Sequence, residues 1–224
     1  MQQPNTPPPP KYRIIPATPS HIPQITAVVN HYILHTATNF SYRPLQNSYY
    51  EHTLTDNYSH RRLPFLVAIE DTEEKDNEEG GEIKGKVIGF TTVTPWTPSK
   101  LGYAHTLEVS LYISPTQRGG GIGTALLTAL ITHLENNEYL TFSERGAISS
   151  SFALPSNAVP DGPGVVYGIP VKCTQLLALM AVDEDTTLDG QVWRFYERRG
   201  FELMGVMKGG WVEVWEEEGC EDVG

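Results

Sequence analysis

The segment HTLEVSLYI, closed by Ser114-Pro115 and followed directly by TQRGGGIGTALLTALITHLE, constrains the fold more than any other part of the chain. Leu107, Val109, Leu111 and Ile113 alternate with Glu108, Ser110 and Tyr112, which is the period of a β-strand with two distinct faces. The strand is followed by a glycine turn, Arg118-Gly119-Gly120-Gly121-Ile122-Gly123, that runs straight into a helix. At a helix start several backbone N–H groups have no intrahelical partner and the helix dipole is positive, so a turn of this kind can hold a pyrophosphate. Glycine serves it twice, by letting a ligand approach the backbone and by tolerating φ > 0. The turn is not a Walker A loop, since no Gly-Lys-Ser/Thr follows, and a dinucleotide fingerprint would need a following βαβ unit. Taken alone, it reads equally well as a tight connection from strand to helix.

The rest of the chain arranges itself around this segment. YRIIPA alternates like a short strand ending at Pro16. In TPSHIPQITAVVNHYILHT, Ser20 is placed as an N-cap, and Ile22, Ile25, Val28, Val29 and Ile33 recur at helical spacing. PFLVAIE and GKVIGFTTV read as two strands joined by an acidic, glycine-containing loop at 70–86. Residues 141–173 are rich in Ser, Gly and Pro with little periodicity, and are expected to form an insertion or loosely ordered loop. Beyond them follow TQLLALMAV as a strand, GQVWRFYERRG as a helix ending at Gly200, and FELMGVMK and WVEVWEE as strands. The expected organisation is a Pro-rich tail at 1–10, one domain at 11–218 and a short tail at 219–224.

At 224 residues the chain suits one domain with a well-buried core. No stretch approaches the roughly 20 apolar residues of a membrane span, and MQQPNTPPPP lacks the basic and apolar regions of a signal peptide, so a soluble cytoplasmic protein without membrane association is expected. The two cysteines, Cys173 and Cys220, lie far apart without metal-binding spacing, which predicts neither a disulfide framework nor a metal. The formal charge of -11 is concentrated: residues 70–82 and 213–222 together carry -13, leaving the remainder at +2 and able to receive an anionic ligand. No basic stripe or aromatic-interleaved basic patch is visible, so no nucleic-acid partner is expected.

The run LEVSLYISPTQRGGGIGTALLTALI resembles the central motif of the GNAT superfamily of acetyltransferases, closest to its phosphinothricin acetyltransferase-like branch. The similarity extends to ATPSHIPQITAVVNHYI and RFYERRGFELMGVMKG. It implies an α/β (α+β) acyl-CoA N-acyltransferase fold, with a central mixed, mostly antiparallel sheet flanked by helices, and acetyl-CoA as co-substrate. Carried over residue by residue, the resemblance assigns Arg118, Gly119, Gly120, Gly121, Ile122, Gly123 and Thr124 to the pyrophosphate, and Leu111, Tyr112 and Ile113 to the pantetheine arm. Asp189 stands where the family usually has a pantetheine-contacting Asn, and an Asp carboxylate accepts hydrogen bonds but donates none. Acetyl transfer requires a neutral amine and a proton donor for the leaving thiolate. The resemblance makes Glu108 the candidate base and Tyr196 the candidate acid, whereas without it they read as a solvent-facing strand Glu and a core Tyr.

Asn30, His31 and Tyr32 resemble the family segment that borders the acceptor pocket, although a His amid apolar helix positions is more often an ordinary, partly buried residue. Trp96 and Tyr103 could line the same pocket, with aromatic core packing the default. The resemblance implies a small, amino-acid-like amine as acceptor and allows a homodimer. The chain's ending, MKGGWVEVWEEE, is shorter between its last two strands than in related sequences, so acceptor identity does not transfer. Two alternatives stay open at this level: a protein or peptide N-acetyltransferase, and an acyl-CoA-binding module without catalysis.

Overall fold

The computed structural model describes residues 12–36, 39, 41–71, 85–98, 100–143, 159–161, 166–180 and 191–205. They fall into two compact units divided between Asp183 and Glu184. The Pro-rich tail, residues 72–84 of the acidic loop, Asp189, Cys220 and the segment WVEVWEE lie outside the described residues.

The first unit is built on β1 (Tyr12–Pro16), α1 (Ile22–His35), α2 (Asn47–Thr53), β2 (Phe65–Glu70), β3 (Val87–Pro95), β4 (Thr106–Ile113), α3 (Ile122–Asn136), β5 (Tyr139–Ser143), β6 (Val159–Asp161), β7 (Val166–Val171) and β8 (Gln175–Leu177). A five-stranded sheet runs in the order β1-β2-β3-β4-β8. Its first three pairings are antiparallel, and β4–β8 is parallel over Thr106–Glu108 and Gln175–Leu177. The expected mixed, mostly antiparallel sheet flanked by helices is therefore the observed one.

Both faces of this sheet are covered, which explains why β3 is buried from Val87 to Val93. On one face Ile22, Ile25 and Val29 of α1 and Tyr50 of α2 pack on Phe65, Val67, Ile69 and Phe90. On the other, Ile122 and Leu126 of α3 pack on Ala68 and Ile88, with Ile14, Leu66, Leu111 and Ile113 around them. Ala68 and Gly89 face each other across β2 and β3. A Cβ on Gly89 would stand 2.7 Å from Ile113 Cδ1 and 3.3 Å from Leu126 Cδ1, so the missing side chain is what lets α3 seat this closely. Among the described residues, no helix is long and apolar enough to cross a membrane.

Several local expectations are corrected. Ser20 is not the cap of α1: the helix is entered through a 3₁₀ turn, Pro19–His21, in which the Thr18 N–H donates to His21 Nδ1 at 3.0 Å. Residues 141–173 are not simply a loop, because β5, β7 and β6 form a second, antiparallel sheet in that order. The strand expected over TQLLALMAV contracts to the three residues of β8. The stretch between α1 and β2, to which the sequence assigned no element, holds α2 and a wider π-type continuation over Leu54–His60. There the buried Asn57 donates to the Val93 carbonyl at 3.0 Å and secures the stretch to the sheet.

The second unit contains α4 (Gln191–Glu197). It ends as the sequence predicts: Gly200 has φ 84, its N–H reaches the Glu197 carbonyl, and the Phe201 N–H reaches that of Tyr196. These two bonds form a Schellman cap, completed by the edge contact of Phe201 on Tyr196 at 5.1 Å. Residues 201–205, expected to begin a strand, carry no regular structure.

Candidate active site

β4 passes through Ser114 and a 3₁₀ turn, Pro115–Gln117, into the glycine segment and α3. Gly119 and Gly121 have φ 84 and 77, the left-handed region that glycine enters without strain. Gly121 is the N-cap of α3 and supplies no side-chain cap, and the first turn holds no acidic residue. A Cβ on either glycine would meet no atom within 4 Å, so the backbone faces open space. The first-turn amides and the positive end of a 15-residue helix are thus presented without a built-in anion. This cradle fits a pyrophosphate.

Arg118 closes one side of the turn. Its Nε and Nη2 donate to the Tyr32 hydroxyl at 3.3 and 3.1 Å, and its guanidinium lies 5.2 Å over the Tyr32 ring. The same hydroxyl donates to the Ile113 carbonyl at 2.6 Å.

The edge of β4 follows from its ladder. The Ser114 N–H bonds to the Ile88 carbonyl and the Trp96 N–H to that of Thr106, so Thr106, Glu108, Ser110 and Tyr112 turn their backbone groups toward β3. Leu107, Val109, Leu111 and Ile113 turn theirs the other way, where β8 pairs only with Thr106–Glu108. Among the described residues, Leu111 therefore offers its backbone groups at an open strand edge, as does the Ile113 N–H. Of the three residues expected along the pantetheine arm, Leu111 and Ile113 have this orientation, and the Tyr112 backbone is turned to its partner Phe90.

Glu108, Ser110 and Tyr112 project to the α1/α2 face. Glu108 is half-buried, and loss of water contact pushes its carboxyl above the usual carboxylate range. Tyr112 stacks on Phe90 at 5.5 Å, touches the Tyr32 ring, and accepts a 2.8 Å hydrogen bond from Asn39 Nδ2. Burial raises the Tyr112 phenol; the Asn39 bond acts in the opposite direction, and Tyr49, Glu108 and Tyr32 add to the rise. Burial likewise raises the Tyr50 phenol, helped by Tyr112 and Tyr49. The carboxylate thus shares its sheet face with a wall of tyrosines.

The expected trio at the end of α1 separates. Asn30 donates to the Leu45 carbonyl at 2.9 Å and accepts from the Leu45 N–H at 2.7 Å, pinning the chain ahead of α2. His31 is exposed and packs on His35 at 4.7 Å. Tyr32 is buried against the sheet. Trp96 is half-buried and Tyr103 exposed. Sequence reasoning missed Asn39, Tyr49 and Tyr50; the Tyr-Tyr pair was the available signal, but the segment shows no apolar period to place it on an element. In the second unit, the Tyr196 ring lies edge-on between Phe195 and Phe201. A surface hollow lined by Tyr58, Arg62, His133, Asn137 and Lys172 lies at the C-terminal end of α3. The helix, at 15 residues, is about 22 Å long and puts that hollow far from the glycine turn.

The strand order, the open edge of β4 and the glycine turn on α3 define an acyl-CoA N-acyltransferase fold. Residues 33–147, just over half of the chain, match the model of the acetyltransferase (GNAT) family, and the chain belongs to that family. It is similar to an N-acetyltransferase of Streptomyces griseus, with 32% identity over 114 residues, covering 51% of this chain and 54% of the relative. An L-methionine sulfoximine/L-methionine sulfone acetyltransferase of Salmonella typhimurium shares 32% over 114 residues, covering 48% and 54%. A phosphinothricin N-acetyltransferase of Alcaligenes faecalis shares 35% over 77 residues, covering 34% and 32%. The chain thus spans about half the length, or less, of these relatives.

Proposed function

We propose that this chain transfers the acetyl group of acetyl-CoA to the primary amine of a small, amino-acid-like acceptor by direct attack. The observation that carries the reading is the placement of a half-buried carboxylate, Glu108, on the strand whose open edge leads into an uncapped glycine turn. The amides of Gly119–Thr124 and the Arg118 guanidinium hold the pyrophosphate. The open backbone groups of Leu111 and the Ile113 N–H receive the pantetheine arm, with the acceptor amine on the α1/α2 face of the same strand. There Glu108 takes the proton from the attacking amine, directly or through water. The new N–C bond forms as the C–S bond breaks, and the departing thiolate is protonated. The family resemblance alone gives that last proton to Tyr196. A base with its pKa raised toward working pH suits proton abstraction better than an ordinary carboxylate. The names of the Salmonella and Alcaligenes relatives point to amino-acid-like acceptors, and the tyrosine wall beside Glu108 offers a compact, partly apolar surface for one.

The test is amine-dependent thiol release from acetyl-CoA across a panel of amino acids, amino-acid analogues and short peptides. Release with small amino-acid analogues, lowered about 10²–10⁴-fold in Glu108→Gln and in Tyr196→Phe, is the expected result. Binding of acetyl-CoA without release on any amine would overturn the catalytic assignment.

A further inference from the structure

We infer that Tyr32 is a positioning residue for the acetyl-CoA turn; this rests on the reading of residues 118–124 as the pyrophosphate site. One buried hydroxyl joins the two halves of that site. It donates its only proton to the Ile113 carbonyl, at the last residue of β4, and accepts from two nitrogens of Arg118, at the first residue of the glycine segment. The ring lies beneath the guanidinium and against Tyr112, so the phenol is held by packing on α1 and does not need the ligand to order it.

Arg118 is exposed, and two of its nitrogens are spent on Tyr32. A long cationic side chain in solvent samples many rotamers, and fixing it beforehand removes an ordering cost that ligand binding would otherwise carry. Gly119 and Gly121 leave the turn itself soft, which makes an outside anchor the more useful. The Ile113 bond fixes the direction of the Tyr32 hydroxyl, whose lone pairs are then left to Arg118. Tyr32 thereby sets the cation beside the phosphates. Of its neighbours in sequence, Asn30 bonds to Leu45 instead, and the exposed His31 meets the Tyr32 ring edge-on at 5.8 Å.

Calorimetry of the full chain with two probes tests this: acetyl-CoA, and S-acetylpantetheine, which has the thioester arm without pyrophosphate or nucleotide. Tyr32→Phe keeps the ring and removes the hydroxyl. The expected result is an acetyl-CoA affinity about tenfold weaker, from loss of a hydrogen bond to a charged group, with a much smaller change for S-acetylpantetheine. Arg118→Ala breaks the same contact from the exposed side, and Tyr32→Phe added to it should cost acetyl-CoA less than about twofold more. Undiminished acetyl-CoA binding by Tyr32→Phe, equal losses for both probes, or fully additive losses in the double variant would each overturn the inference alone. A wild-type chain that binds no acetyl-CoA would overturn the proposed activity and this inference with it.

Discussion

Glu108 shows what can be read from a single position. Alternation along β4 was enough to turn it away from Leu107 and Val109, and the structure adds the half-burial that shifts its proton affinity. For an acid with a raised folded pKa, the unfolded chain ionises first as pH rises, so the penalty is absent at low pH and complete above the folded pKa. Glu108→Gln is therefore expected to lose activity yet melt no lower than the wild type at pH 7, with any advantage vanishing below the ordinary carboxylate range. Thermal melts of both proteins from pH 3 to 8 check it; a variant less stable at pH 7 would mean that the carboxylate is held by favourable contacts. The pH profile of acetyl transfer should rise through the raised Glu108 pKa in the wild type. The trio Asn30, His31 and Tyr32 shows where residue-level reading stops. Consecutive positions on a helix point in three directions, about 100° apart, so adjacency in sequence put together side chains that the fold sends to Leu45, to solvent and to Arg118.

Among the elements, those with strong local signals were legible: β2, β3, β4 and α3, and α4 with its Gly200 stop. The second sheet was not. β7 contains Gly168 and Pro170, residues that argue against a strand. Its pairing with β6 stops at Gly168, while Pro170 faces only Leu140 of β5, so the proline sits where one edge is free of a strand partner among the described residues. α2 was equally hidden, because seven residues are too few to show a period and its helicity depends on seating Tyr50 against Phe65 and Phe90. The seating of α3 gives a prediction at this scale. Gly89→Ala puts a methyl against Ile113 and Leu126 and within 3.0 Å of the Tyr112 carbonyl oxygen. It should cost about 1–3 kcal/mol by chemical denaturation and weaken acetyl-CoA binding as well, since β4 and α3 both flank the turn. A loss of stability with unchanged affinity would uncouple the two.

For the whole molecule, charge distribution matters more than net charge. The body outside residues 70–82 and 213–222 carries +2, so the net charge of -11 comes from the two acidic runs. Replacing the six acids at 73–82 by Gln and Asn, and leaving Asp71 in its ion pair with Arg13, should speed acetyl-CoA association at low salt. At about 0.5 M salt the Debye length is only a few ångströms, and the two proteins should converge. Stopped-flow association rates across a salt series check this, and a difference that persists at high salt would indicate a direct contact.

The sequence by itself determined the strand, turn and helix that hold the candidate site, because period-2 alternation, glycine conformational freedom and helix dipoles are local properties. It also determined the family, through residues carried on those same elements. Only the tertiary structure decided which edge of β4 stays open, which residues share the face of Glu108, and that Tyr32 reaches across 86 positions to Arg118. These depend on pairing and packing between distant segments, whose cost in chain entropy is offset only when the whole core forms.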